Sequence, residues 1–168
     1  MKTVYLDRTD NTHLIVILSE KDYTLLNAGT TIYSMPVRER NDEYRRYGEE
    51  YDIHFIFDDN VPAIPFYTVP QVDIFAVDGS GGYIGTVGET TDLKSDAPIC
   101  YIDQHHRCWL IAETGKDFLS CVGNWKEKLR PYDAVEFFTS MEEAKENHEF
   151  LDVDISALKN GMERKQNG

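Results

Sequence analysis

The run Val72-Asp73-Ile74-Phe75-Ala76-Val77-Asp78, Gly79-Ser80-Gly81-Gly82, Tyr83-Ile84-Gly85-Thr86-Val87 decides how the rest of the chain is read. Two β-rich segments flank a stretch with almost no side chain, which is the pattern of a hairpin. Residues 79–82 supply the positive φ angles that a tight turn needs. A phosphate cradle would want a helix directly after the glycines, with a lysine in place; a strand follows instead. A second pair lies downstream: Pro98-Ile99-Cys100-Tyr101-Ile102-Asp103 and Arg107-Cys108-Trp109-Leu110-Ile111-Ala112. It is apolar on both faces. Ile99 and Tyr101 point one way and Cys100 and Ile102 the other; Trp109 and Ile111 oppose Cys108, Leu110 and Ala112. Strands of this kind are covered on both sides and belong near the centre of a sheet.

Outward from the hairpins, alternation among Leu14 to Leu18 predicts a strand over 12–18. Ser19 then caps a short helix through Ala28, ended by Gly29. The densely charged stretch 38–50 reads as a mobile loop or an exposed helix. Tyr51, Ile53, Phe55 and Phe57 share one face of the next strand, with Asp52 and His54 opposite. Asp58-Asp59-Asn60 ends it, and Pro62, Pro65 and Pro70 make 61–70 an extended connection. After the second hairpin, Thr114 caps a helix through Phe118, Leu119 and Val122, with Trp125 and Leu129 beyond. Gly123 interrupts this helix and Pro131 stops it. Residues 133–138 add a strand. Ser140-Met141-Glu142-Glu143 is a capping box that opens a last helix, with Phe137, Met141, Ala144, His148 and Leu151 near one face. The expected fold is α+β: a mostly antiparallel sheet of about six strands packed by helices, one domain over 1–160 and a polar tail over 161–168.

The 168 residues carry 30 acidic and 17 basic side chains, a formal net charge of −13. Phosphate backbones need Lys and Arg, so nucleic acid is not an expected partner. A basic protein partner suits the charge, because opposite fields steer association. The first residues lack the apolar core of a signal peptide, and residues 13–18 are too few to span a membrane. A cytoplasmic protein without a membrane role is the expectation. Cys100, Cys108 and Cys121 are odd in number and lack zinc-ligand spacing. Cys100 and Cys108 lie near each other across a hairpin and read as reduced, buried thiols.

Catalytic signals are sparse. His105-His106 sits at a hairpin tip without a third ligand, so neither a metal nor a cofactor is expected. His54 offers a general base with Asp52 or Asp58, yet one histidine among carboxylates is not a constellation. His13 and His148 read as packing or surface residues. Charge placement says more. Residues 133–154 hold eight acids against the single base Lys145. Glu142, Glu146 and Glu149 share the helix face away from Met141 and Leu151. A second cluster gathers Glu49, Glu50, Asp52, Asp58 and Asp59. Each cluster is either a solvated face or a docking surface for a basic groove.

The two hairpins, followed by Lys116-Asp117-Phe118-Leu119 with its aromatic-Leu pair, resemble the SUKH superfamily. This group consists mostly of bacterial immunity proteins and includes a fungal cell-wall regulator. The likeness covers about a third of the chain. SUKH proteins open with helices and a Pro-containing turn before an aromatic helix; here Asp22-Tyr23-Thr24-Leu25-Leu26 stands in that place, without the Pro and after a strand-like run. The resemblance implies an α+β fold and a binding role, the neutralisation of a toxin domain such as a nuclease, with no catalytic residues to carry over. Glu49, Glu50, Asp58, Asp59, Glu142, Glu146 and Glu149 are then the candidate contacts, with Tyr47 or Tyr67 as aromatic anchors. Two alternatives stand beside this one. One is a small hydrolase using His54 and a neighbouring carboxylate. The other is a regulatory module holding a small ligand in a pocket under 61–70.

Overall fold

The computed structural model describes residues 2–9, 23–88 and 96–151. Strands β1 (Lys2–Asp7), β2 (Tyr23–Ala28) and β3 (Thr30–Ile32) come first, then a 3-10 turn at Val37–Glu39 and helix α1 (Asp42–Tyr51). Strands β4 (His54–Phe55), β5 (Tyr67–Val69), β6 (Val72–Val77), β7 (Tyr83–Val87), β8 (Ile99–Ile102) and β9 (Cys108–Ala112) follow. Helix α2 (Gly115–Cys121) runs into a 3-10 segment at Val122–Glu127. Then come β10 (Arg130–Pro131), β11 (Glu136–Phe138) and helix α3 (Met141–Asn147).

Both hairpins form as their sequence predicts, and they are the middle of a seven-stranded sheet ordered β10-β9-β8-β7-β6-β3. Its pairs are antiparallel except β3 with β6. The outer edge of β6 is divided: β3 pairs with Val72–Ile74, and the two residues of β4 pair with Val77 and Ala76. Beside this sheet stand two small ones, β1 parallel to β2 and β5 antiparallel to β11. The fold is α+β, as expected; the main sheet has seven strands rather than about six, and two small sheets stand beside it.

The two faces of the central strands fill two cores. Ile99, Tyr101, Ile84 and Ile111 pack with Phe118, Val122 and Trp125 beneath α2 and the 3-10 segment. Cys100, Ile102, Val72 and Ile74 pack with Phe66 and Val135 beneath the extended chain on the other side. The expected facing of β8 therefore holds. In β9 a register shift opposite Ile99 and Cys100 turns Ala112 to the same face as Ile111, against strict alternation. A third core joins Ala28, Tyr67, Val69 and Phe138 under Ala144 of α3. Thr114 caps α2 by accepting from the Asp117 amide at 3.1 Å. Ser140 caps α3 by accepting from the Glu143 amide at 3.2 Å.

Four local expectations differ from the structure. Tyr23–Ala28 is a strand rather than the end of a helix, because it pairs in parallel along the whole of β1. The strand expected over Tyr51–Phe57 shrinks to His54–Phe55: Tyr51 closes α1, and Asp52 turns the chain with φ 57°. The proline-flanked connection 61–70 contains a strand, β5, because β11 arrives to pair with it. In the turn 79–82 only Gly81 has a positive φ, 90°. Gly82 serves close approach instead, for a Cβ there would enter the Tyr101 ring. Of the stretch 38–50, residues 38–39 belong to the 3-10 turn and 42–50 to helix α1. Its Tyr44, Tyr47 and Tyr51 fall on one face and pack against Phe55 and each other. The expected strand at 12–18, the cap at Ser19, His13, Asp152, Asp154 and the tail 161–168 lie outside the described residues. No helix among the described residues is long and apolar enough to cross a membrane.

Candidate functional site

α1 ends where the sequence has Asp52 rather than the glycine that a left-handed residue favours. The helix is closed by the Ile53 amide, which donates to the Tyr47 carbonyl at 3.1 Å. Asp52 is kept in that conformation by its side chain. Its carboxylate accepts from the Lys126 ammonium at 2.6 Å, the Gly79 amide at 2.9 Å and His54 Nε2 at 2.9 Å. Burial raises its pKa, but the hydrogen bonds from Lys126, His54 and Gly79 together bring it below the ordinary carboxylate value. One side chain thus ties the end of α1 to β4, to the glycine turn and to the 3-10 segment. Trp125 adds a second tie, its indole N–H donating to the Tyr51 carbonyl at 2.6 Å.

The turn has its own anchor. Asp78, with a nearly buried carboxylate, accepts from the Gly82 amide at 2.7 Å, the Tyr101 hydroxyl at 2.8 Å and the Ser80 hydroxyl at 2.8 Å. Lys126 stands 3.8 Å away. Burial, followed by the facing Asp78 carboxylate, pushes Tyr101 up to about 12 against the opposing contact from Ser80. These partners are fully occupied with one another, so the Gly-rich segment is built as a braced turn.

Glu49, His54 and Asn60 meet around a cleft of about 500 Å³ between α1 and β4, whose lining also includes Arg40, Tyr44 and Arg45. The carboxylates on this side are mostly engaged. Asp59 pairs with Arg40 at 2.6 Å, Glu50 with Arg46 at 3.7 Å, and Asp58 accepts from the Ser34 hydroxyl. The hydrogen bond from Arg40 holds Asp59 below its usual pKa. Asp52 belongs to the junction described above. Three of the five carboxylates of the second acidic cluster therefore face cations, Asp58 is held by a hydroxyl, and Glu49 lies outside these contacts. His54 is equally committed. Nε2 faces Asp52, and a Cβ on Gly48 would stand 2.9 Å from Nδ1.

The acids of α3 are arranged differently. Ala144 is buried and Met141 packs into the third core, which leaves Glu142 and Glu146 exposed on the outer face. Among the described residues neither takes part in an ion pair. Glu149 is also exposed, but it lies beyond the end of the helix. Glu136 is paired with His148 at 3.0 Å, and Glu143 accepts from the Thr139 hydroxyl at 2.6 Å. No described contact joins this face to the α1 cleft.

Of the two expected aromatic anchors, Tyr67 is excluded. It is buried, and its hydroxyl donates to Asp7 at 2.7 Å. Tyr47 is half-buried against the first core. His105 and His106 occupy the β8–β9 turn as expected, held by Asp103, which accepts from the amides of His105 and Arg107 and from the Trp109 indole. His106 stacks near Phe137 and meets Phe66 edge-on. Cys100, Cys108 and Cys121 are free thiols. Burial and its neighbour Cys108 raise Cys100 far above the reactive range, with the Cys108 contact the larger cause.

Lys126, Asp78 and Arg40 are the consequential residues that sequence reasoning missed. Arg40 had a signal: Arg38, Arg40, Arg45 and Arg46 cluster within a strongly acidic chain. Lys126 had none, since its partner is supplied by a distant turn. Set beside known proteins, the chain matches no family model, no curated protein and no solved structure at a significant level.

Proposed function

We propose that this chain is an interaction protein, an immunity-type factor that binds a basic toxin domain, such as a nuclease, and neutralises it by surface complementarity in the cytoplasm. The observation that carries the reading is the exposed pair Glu142 and Glu146 on α3, one helical turn apart and outside any ion pair among the described residues. Like charges at that spacing cost a helix a few tenths of a kcal/mol, about 0.2–0.5. Glu146 also stands in the last turn, where the helix dipole disfavours an anion. A basic partner removes both penalties on docking and is steered toward the surface by the net charge of −13. Lys or Arg side chains around a toxin's active site would meet these carboxylates and be covered by them. The SUKH-like order of the two hairpins supports the same reading.

The test is co-expression with the protein encoded by the adjacent open reading frame. Growth restored by this chain, and lost again with Glu142→Lys/Glu146→Lys, is the expected result. A neighbouring product that is not toxic, or whose toxicity this chain leaves untouched, overturns the reading.

A further inference from the structure

We propose that the cleft between α1 and β4 is a separate binding site for a small aromatic anion, an aromatic phosphate ester of mononucleotide size. Its volume of about 500 Å³ lies within the range of sites that enclose small ligands. One wall is aromatic. Tyr44 meets Phe55 edge-on at 5.1 Å and Phe57 at 5.7 Å, and Pro62 and Val77 complete an apolar floor for a flat ring.

Two guanidinium groups line the same cleft. Arg40 lies 4.5 Å over the Phe57 ring and is gripped by Asp59 at 2.6 Å. A side chain ordered before the ligand arrives loses less freedom on binding. Among the described residues Arg45 is paired only with the exposed Asp42 at 3.4 Å, a contact that water and salt weaken, which leaves it available to an anion. Residues 38–46 hold four arginines against three acids, a local excess of one positive charge in a chain of net charge −13. The lining itself holds two arginines against one carboxylate, Glu49. Arg40 and Arg45 offer two forked donors to one phosphate, while Glu49, also in the lining, repels longer polyanions and accepts a hydrogen bond from a ring amine.

Isothermal titration of the full chain with adenosine 5′-monophosphate, adenosine and inorganic phosphate tests the site. The expected result is one bound AMP per chain, with adenosine and phosphate each at least about tenfold weaker. Arg45→Ala, an exposed helix position that leaves the fold intact, weakens AMP about tenfold, and Arg40→Ala does so at least as much. Glu142→Lys/Glu146→Lys leaves AMP affinity unchanged, so the cleft and the α3 surface stand or fall separately. Absence of AMP binding by the folded chain overturns the proposal. So does AMP affinity unaffected by Arg45→Ala, or phosphate alone binding as tightly as AMP.

Discussion

Asp52 and Lys126 stand 74 positions apart in the chain, and their carboxylate and ammonium groups meet at 2.6 Å. The contact makes the end of α1, the glycine turn and the 3-10 segment one unit. Asp52→Ala removes the three ties while leaving the left-handed backbone in place, and is expected to lower urea-unfolding stability by about 1–2 kcal/mol. Asp52→Gly relieves the backbone and is expected to lose less than Asp52→Ala. Equal stability of wild type and Asp52→Ala would show the junction to be incidental.

The same residue gives a pH dependence whose sign follows from its depressed pKa. A carboxyl that is more acidic in the folded than in the unfolded chain stabilises fully above its unfolded value, about 4, and loses this as pH falls through the folded value. With His54 removed from both proteins so that no imidazole titrates beside the carboxylate, the stability difference between His54→Ala and Asp52→Asn/His54→Ala is therefore expected to shrink as the pH falls below about 4. A difference that shrinks instead on raising the pH would contradict the arrangement.

Gly82 is required for lack of a side chain rather than for a special backbone angle. A methyl group there collides with the Tyr101 ring, whose hydroxyl is fixed on Asp78. Gly82→Ala is expected to cost about 1–3 kcal/mol, the range for forcing atoms into a packed site. The check is chemical denaturation, and an unchanged midpoint would mean that the ring moves aside freely.

Gly48 weakens α1 by its own propensity, yet a Cβ there would crowd the His54 ring, 2.9 Å from Nδ1. Gly48→Ala in the His54→Ala background is expected to gain about 1 kcal/mol, the helix-propensity difference. In the native background the displaced ring loses its bond to Asp52, and the gain disappears. A double-mutant cycle reads this as non-additivity; simple additivity would separate the two residues.

Local chemistry was legible in the sequence wherever the deciding partner lay close by. The hairpins β6–β7 and β8–β9, the caps at Thr114 and Ser140, and the opposite facing of Ile99 and Cys100 all depend on neighbours within a few residues. The misread segments depend on distant ones. Tyr23–Ala28 has apolar content that suits a helix, but β1 pairs with it in parallel. Tyr67–Val69 sits among prolines and becomes a strand only because β11 reaches it. Tyr51 to Phe57 alternates like a strand, but Asp52 bends the chain between a helix and two paired residues. The acidic clusters were visible as composition. Their difference was not: Arg40 and Arg46 neutralise carboxylates near α1, while Glu142 and Glu146 on α3 lack such partners among the described residues.

That difference is the basis of the proposed docking, and the dissociation constant for the product of the adjacent open reading frame, proposed as the toxin, tests it most directly. It should be measured for wild type and for Glu142→Lys/Glu146→Lys, between about 0.05 and 0.3 M salt. The account predicts that the double variant binds at least about a hundredfold more weakly and that salt weakens the wild type far more than the variant. Equal affinity of the two proteins, with the same response to salt, would contradict it.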